Sequence, residues 1–258
     1  MLPKPLFEFY QPRLPWLEKW ATAPDERRYA LKGEAERHYI DLDLWQSDDQ
    51  LCPILTYPLE NALLCIAEHD VNQHGIVPWN TYIFYRRLVD AFEQKDTDRI
   101  VRLTAELGHY IGDLHVPLHT TSNYNGQQTN QKGIHGLWET SIPELLYNEN
   151  WVPYREPIYL EKVYNTIWRQ VWISHSLVPT VLARELQLSS LHPNKVSYVL
   201  RKGQMGKRYA VQFVKDYQQL LGTMVQDRFA SSVYLLSDFI LTAWIDAGQP
   251  NLSTNSSR

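Results

Sequence analysis

Apolar residues return at intervals of three and four along nearly every long segment of the 258-residue chain, and this repeat constrains the fold more than any other feature. In 79–94 the recurring set is Tyr82, Tyr85, Leu88, Val89 and Phe92, and in 100–115 it is Leu103, Leu107, Ile111 and Leu114. The pattern also runs through 59–68, 158–187, 209–221 and 225–247, with Gly222 and Gly248 as stops. Such spacing gives each helix one apolar face to bury against its neighbours. Period-two alternation, the mark of strands, finds little support. The expected fold is all-α, a single compact multi-helix domain.

The domain is expected over 1–248, because no Gly/Ser or Pro-rich linker and no long-period repeat divides the chain. Residues 249–258, containing the low-complexity "PNLSTNSSR", are expected to form a disordered tail. A net charge of −4 excludes the broad basic field that drives binding to duplex DNA or anionic lipid. No apolar run approaches the roughly 18 residues of a membrane span, and "MLPKPLFEFYQPRLPW" lacks the apolar run of a signal peptide. Cys52 and Cys65 fit either one bridge or two buried thiols, so they leave the redox compartment open.

The chemistry concentrates in "LGHYIGDLHVPLHTTSNYNGQQTNQKGIHGLWET", Leu107 to Thr140. His109 and Asp113 are four apart and share one face of a helix that Pro117 ends, with His119 in the exit turn. A polar, turn-rich surface loop follows, and then His135 and Glu139 form a second pair four apart at the start of the next helix. Imidazole nitrogen with carboxylate oxygen suits zinc, and three protein ligands with an open position are the pattern of catalytic sites. One His/Asp pair at helical spacing is more often a solvated or hydrogen-bonded pair. Two such pairs flanking a third histidine favour a metal. His115 faces away from His109, and His175 sits on an apolar helix, so both read as structural; His69, His74 and His192 have no partner spacing.

"LGHYIGDLHVPLH" followed by "GIHGLWE" resembles the signature of the superfamily that joins bacterial zinc-dependent phospholipases C with single-strand-specific nucleases. "APDERR", "RHYIDLD" and "AWIDAGQP" extend the likeness over most of the chain. The resemblance implies an all-helical fold with a metal cleft, hydrolysis of phosphate esters, and a secreted or periplasmic setting. It implies one zinc held by Asp25, His38, His109 and Asp113 and another by His119, His135 and Glu139. Asp25, Arg28 and Asp113 are the candidate catalytic residues, Arg28 being equally readable as a solvated arginine in "DERR". Two such ions about 3.5–4 Å apart lower the pKa of a shared water toward about 7 and stabilise charge on the phosphoryl oxygens.

In the family a third zinc is held by an N-terminal tryptophan and a nearby histidine. Here Trp16 and Trp20 are internal and His38 is the first histidine, so two sites are expected and a third is incomplete. An upstream reading frame encoding a signal peptide, a tryptophan and a histidine is the corresponding expectation.

Substrate signals divide. His38, Tyr39 and Asp41 reproduce the nuclease spacing in which an aromatic ring and an aspartate hold a nucleobase, and Asn123 joins them as a substrate-binding candidate. Stacking of that kind is worth about 1–3 kcal/mol per base. Glu139 and the short interval from His119 to His135 are phospholipase-like instead, and Tyr39 is also readable as a core aromatic. Single-stranded nucleic acid stands slightly ahead of a phospholipid headgroup. A helical protein that binds zinc and phosphate without turnover remains the alternative from another class. A di-iron bundle would show paired Glu-x-x-His motifs, which do not fit His-x-x-x-Asp and His-x-x-x-Glu.

Overall fold

A computed structural model describes residues 2–44, 73–192, 195–201 and 204–252. Among them the chain is mostly helical, as the apolar periodicity requires. Helices α1 (Lys4–Tyr10), α2 (Leu14–Ala21) and α3 (Ala23–Arg27) lead into a tight 3₁₀ turn, Ala35–His38. The next two helices, α4 (Val77–Glu93) and α5 (Thr97–Leu114), pack on each other, and α5 also meets α2. Asp96 caps α5 by accepting from the Arg99 amide at 3.1 Å, which satisfies one of the donors a helix start leaves open.

The end of α5 follows from one proline. Pro117 disfavours helical backbone at Val116, which is extended, and it opens the 3₁₀ turn Pro117–Thr120 that carries His119. Short helical pieces follow: α6 (Ile134–Gly136), a π turn (Leu137–Ser141) and α7 (Ile142–Leu146). Then come α8 (Val163–Leu191), strands β1 (Val196–Arg201) and β2 (Gln204–Tyr209), α9 (Val211–Leu221) and α10 (Met224–Asp246). Gly222 and Gly248 adopt positive φ just beyond α9 and α10, as stops of this kind do.

Four expectations need correction. The antiparallel hairpin of β1 and β2, with Val196 opposite Tyr209, stands where strands found little support; Val196, Tyr198 and Val199 ahead of Gly203 carry the signal. Helix α8 starts at Val163 rather than 158, because the preceding segment runs along α10 and donates its Ile158 and Leu160 amides to Asp238 and Thr242. The polar stretch after His119 is no simple surface loop: Thr121, Asn123 and Gln131 are buried and the stretch is bonded to itself. The tail is ordered at its start, since Trp244 Nε1 donates to Pro250 O and Leu252 is buried in the core. The helix expected over 59–68, Cys52, Cys65, His69 and residues 253–258 lie outside the described residues. Among the described residues no helix is long and apolar enough to cross a membrane.

The apolar faces collect into two clusters. One gathers Leu88, Leu107, Ile111, Trp168 and Phe239; the other gathers Leu118, Leu137, Trp138, Val181 and Tyr217. Arg228 of α10 is buried beside the C-terminus of α5, donating to Leu114 O, His115 O, Gln170 and Ser174 Oγ. Each partner is neutral, so the partial negative charge of the helix end serves as its counter-charge. Burial lowers its pKa to about 10, still charged at neutral pH.

His115 lies in the same region as a structural residue, bonded to Ile111 O and Ser231 Oγ. Burial, with Arg228 beside it, pushes its pKa down to about 3. Between the ordinary histidine value near 6.5 and about 3 the unfolded chain therefore takes up a proton that the folded chain refuses, and stability falls as pH falls. Urea unfolding across this window should show a shallower acid loss in His115→Gln than in the parent. Parallel curves would mean that His115 titrates normally.

Candidate functional site

The sequence-distant candidates converge. Asp25 on α3, His38 at the end of its turn and His109 on α5 form one group, and Asp113 on α5 lies beside it. His119, His135 and Glu139 form another. In the first, His38 Nδ1 is 3.0 Å from Asp113 Oδ2 and 3.1 Å from His109 Nε2. Asp25 Oδ1 lies 3.9 Å from His38 Nδ1 and 3.8 Å from His109 Nε2. In the second, Glu139 Oε2 is 2.7 Å from His135 Nε2 and 3.5 Å from His119 Nε2. Asp113 connects them, because its other oxygen is 3.8 Å from His119 Nε2. Donors placed tetrahedrally around one zinc at its usual bond lengths sit about 3.3 Å apart, in the middle of this range.

Ring orientation points the same way. His109 Nδ1 donates to Ala21 O, His119 Nδ1 to His38 O, and His135 Nδ1 to Tyr124 O at 3.3 Å. Each bond commits the proton to Nδ1 and turns the Nε2 lone pair toward the acids, the arrangement usual for metal-bound histidine. His119 Nε2 is buried with no hydrogen-bond partner. A simple hydrogen-bonded cluster leaves that atom unsatisfied, whereas a cation would use it.

The electrostatics favour positive charge. Burial opposes a charged His119, yet Asp113 and Glu139 outweigh it and raise its pKa to about 9, so at neutral pH a proton competes with any cation for Nε2. Burial likewise opposes a charged Glu139, yet His119 and His135 hold it well below the ordinary carboxylate range. The donor set thus fits a small hard or borderline cation at either group.

An ion network holds α3 against α5. Arg27 forks onto Glu106 with bonds of 2.8 and 3.1 Å and reaches Glu34 at 3.2 Å; Tyr110 donates to Glu34 at 2.7 Å. Neither carboxylate has appreciable access to solvent. This network went unread in the sequence. Glu106 and Tyr110 share a face of α5 with Asp113 by helical spacing, and that was the available signal.

The remaining candidates divide. Arg28 is partly exposed and 3.6 Å from Asp25 Oδ1, so it stands beside the first group. Tyr39 is half-buried, its hydroxyl donating to Gln73 O. Its backbone presses on Gly75, where a Cβ would meet Tyr39 O at 2.1 Å. Asp41 is pushed up to about 7 by burial and by Asp43. Asn123 is buried and bonded within its own loop: its Oδ1 accepts from Gln128 N and its Nδ2 donates to Thr129 Oγ1.

A cavity of about 670 Å³ opens onto His109, Asp113 and Glu139, and its walls include Phe7, Leu14, Leu17, Leu236 and Ile240. No known family model matches the chain, and no curated protein matches its sequence.

Glu106→Gln should weaken the fork to Arg27 and the bond from Arg102 Nε, and cost about 1.5–3 kcal/mol, the range for a hydrogen bond to a charged group. Chemical denaturation measures it. An unchanged midpoint would show that Arg27 is not a tie between α3 and α5.

Proposed function

We propose that the chain is a zinc-dependent hydrolase of phosphate ester bonds, with single-stranded nucleic acid as its favoured substrate. The observation that supports this most directly is the buried Asp113 carboxylate, one oxygen facing His38 and His109 and the other facing His119. Asp25, His38, His109 and Asp113 would hold one zinc, and His119, His135 and Glu139 the other. When bound, the ions would activate water for attack on phosphorus and stabilise the charge that gathers there.

The protein's own groups supply the rest. Backbone carbonyls at Ala21, His38 and Tyr124 hold three of the imidazoles in one tautomer and orientation before any ligand arrives. Arg28 is near enough to Asp25 to meet a phosphate oxygen, and its guanidinium would offset charge in the transition state. The half-exposed Tyr39 ring, pinned by its hydroxyl, offers a stacking face for a base. Asp41, ionised only above about 7, would accept a charge-assisted bond from a base amino group at neutral to alkaline pH and a weaker one below it.

A second reading, a phospholipid substrate, draws on the apolar walls of the cavity that reaches His109, Asp113 and Glu139, since acyl chains would lie against Phe7, Leu14 and Leu236. Binding without turnover is the third. Release of nitrophenol from bis(p-nitrophenyl) phosphate in zinc separates an enzyme from a binder. Tyr39→Ala should then slow cleavage of single-stranded oligonucleotide at least tenfold while sparing phosphatidylcholine; equal losses would make Tyr39 a packing residue.

Metal content is a separate test. The zinc-loaded, desalted protein should carry two ions by native mass spectrometry and His119→Ala one. An unchanged count in that variant would end the assignment of the second group.

A further inference from the structure

A second cavity, of about 630 Å³, lies between the helical pieces after Gly133 and the β hairpin. Three cationic side chains line it, Lys132, Lys195 and Arg208, against one carboxylate, Glu144. In a chain of net charge −4 this is a local reversal of sign. The cations are held in different ways. Lys195 Nζ is fixed at 3.0 Å from Glu185 Oε1 and 3.0 Å from Ser189 Oγ, and Glu185 is wholly buried and also accepts from Gln131. Arg208 lies 3.8 Å from Glu144, both half-exposed, a pair that exchanges readily with another anion. Lys132 is exposed and makes no ion pair among the described residues.

An aromatic surface accompanies the charge. Tyr209 stacks on Phe213 with ring centroids 5.5 Å apart and lies in the cavity wall. Its burial raises the phenol to about 12, so the ring stays neutral at any physiological pH. Cations beside an aromatic face are what a single nucleic-acid strand requires: the first meet its phosphates and the second its bases.

The location joins this cavity to the zinc-ligand candidates. Gly136 and Thr140 line it, and they follow His135 and Glu139 directly in the chain. The second group and this cavity are thus built on the same short helical stretch, 134–141.

We infer that this cavity is a strand-binding subsite, in which Lys132 and Arg208 take phosphates of a single-stranded nucleic acid beyond the bond being cleaved. The inference rests on the nucleic-acid reading of the neighbouring site. Lys195 shapes the floor rather than recruiting the strand, because its charge is already answered by Glu185.

The test is direct binding, which needs no turnover. Fluorescence anisotropy of a labelled phosphorothioate dodecanucleotide is read across a salt series for the zinc-loaded parent and for the Lys132→Gln/Arg208→Gln double variant. Lys195 is left in place, since removing it would strand a buried carboxylate. The variant should bind the strand about tenfold more weakly, with the logarithmic salt slope smaller by about 1.4, the share of two phosphate contacts on a single strand. Thymidine 5′-monophosphate, too short to span both sites, should bind parent and variant alike. Arg99→Gln/Lys162→Gln, which removes the same charge elsewhere, should leave strand binding intact. An unchanged slope, equal weakening of the mononucleotide, or a parent that binds phosphatidylglycerol vesicles but no strand would overturn the subsite. A parent that binds the strand but releases no nitrophenol from bis(p-nitrophenyl) phosphate would overturn the hydrolase reading and leave the subsite standing.

Discussion

A buried carboxylate among imidazoles sets the terms for the rest of this structure. Asp113 has little contact with water, and its two oxygens face different histidines. Burying a carboxylate costs several kcal/mol unless positive charge or donors answer it. Of the imidazoles around it, His38 presents Nδ1 to it at 3.0 Å, while His109 and His119 donate their Nδ1 protons to backbone carbonyls and turn Nε2 toward it. Lone pairs and acids thus converge on the same space. The arrangement is costly for an empty fold and well matched to cations.

That convergence depends on where α5 stops. If the helix continued past Leu114, His119 would ride on it, at a position fixed by helical phase rather than by the turn. Pro117 prevents this by disfavouring helical backbone at Val116. Arg228 then fixes the exposed helix end by taking the carbonyls of Leu114 and His115, which a cut helix would leave open. The two apolar clusters supply the leverage, since α5 is anchored in one and Leu118 beside His119 in the other. The candidate site therefore sits where the two clusters meet, its first group drawn from residues before Pro117 and its second from residues after it, with Asp113 3.8 Å from His119 across the turn.

Local signals and long-range ones were unequally legible. Helical periodicity gave α4, α5, α9 and α10 to within a few residues, because the period is written into side chains that must face a core. The i,i+4 pairs His109/Asp113 and His135/Glu139 were readable for the same reason: His135 and Glu139 fall in one group, and Asp113 lies 3.6 Å from His109 beside the other. Asp25 and His38 came only from resemblance, since nothing in their own neighbourhoods distinguishes them from a solvated acid and a surface histidine. The hairpin was missed because two six-residue strands carry too few alternations to stand out in a helical chain. The start of α8 was missed because the segment before it is apolar at Ile158 and Leu160, yet its amides are captured by Asp238 and Thr242 some eighty residues away in sequence. Spacing within a window carries no information about such a partner.

Charge balance bears on how an acidic chain would bind the anion that the proposed function requires. With a net charge of −4 the far field repels phosphate, so recognition has to come from short-range positive charge. At the paired groups that charge would be metal, which concentrates it at points where lysines would have to be crowded together. In the cavity beside the hairpin it would be Lys132 and Arg208, whose facing acid, Glu144, is half-exposed. At physiological salt the Debye length is about 8 Å, so the repulsive far field is largely screened while contacts inside the cavities are not. An anion at the proposed site would therefore be held by short-range contacts inside the cavities rather than by the field of the whole chain.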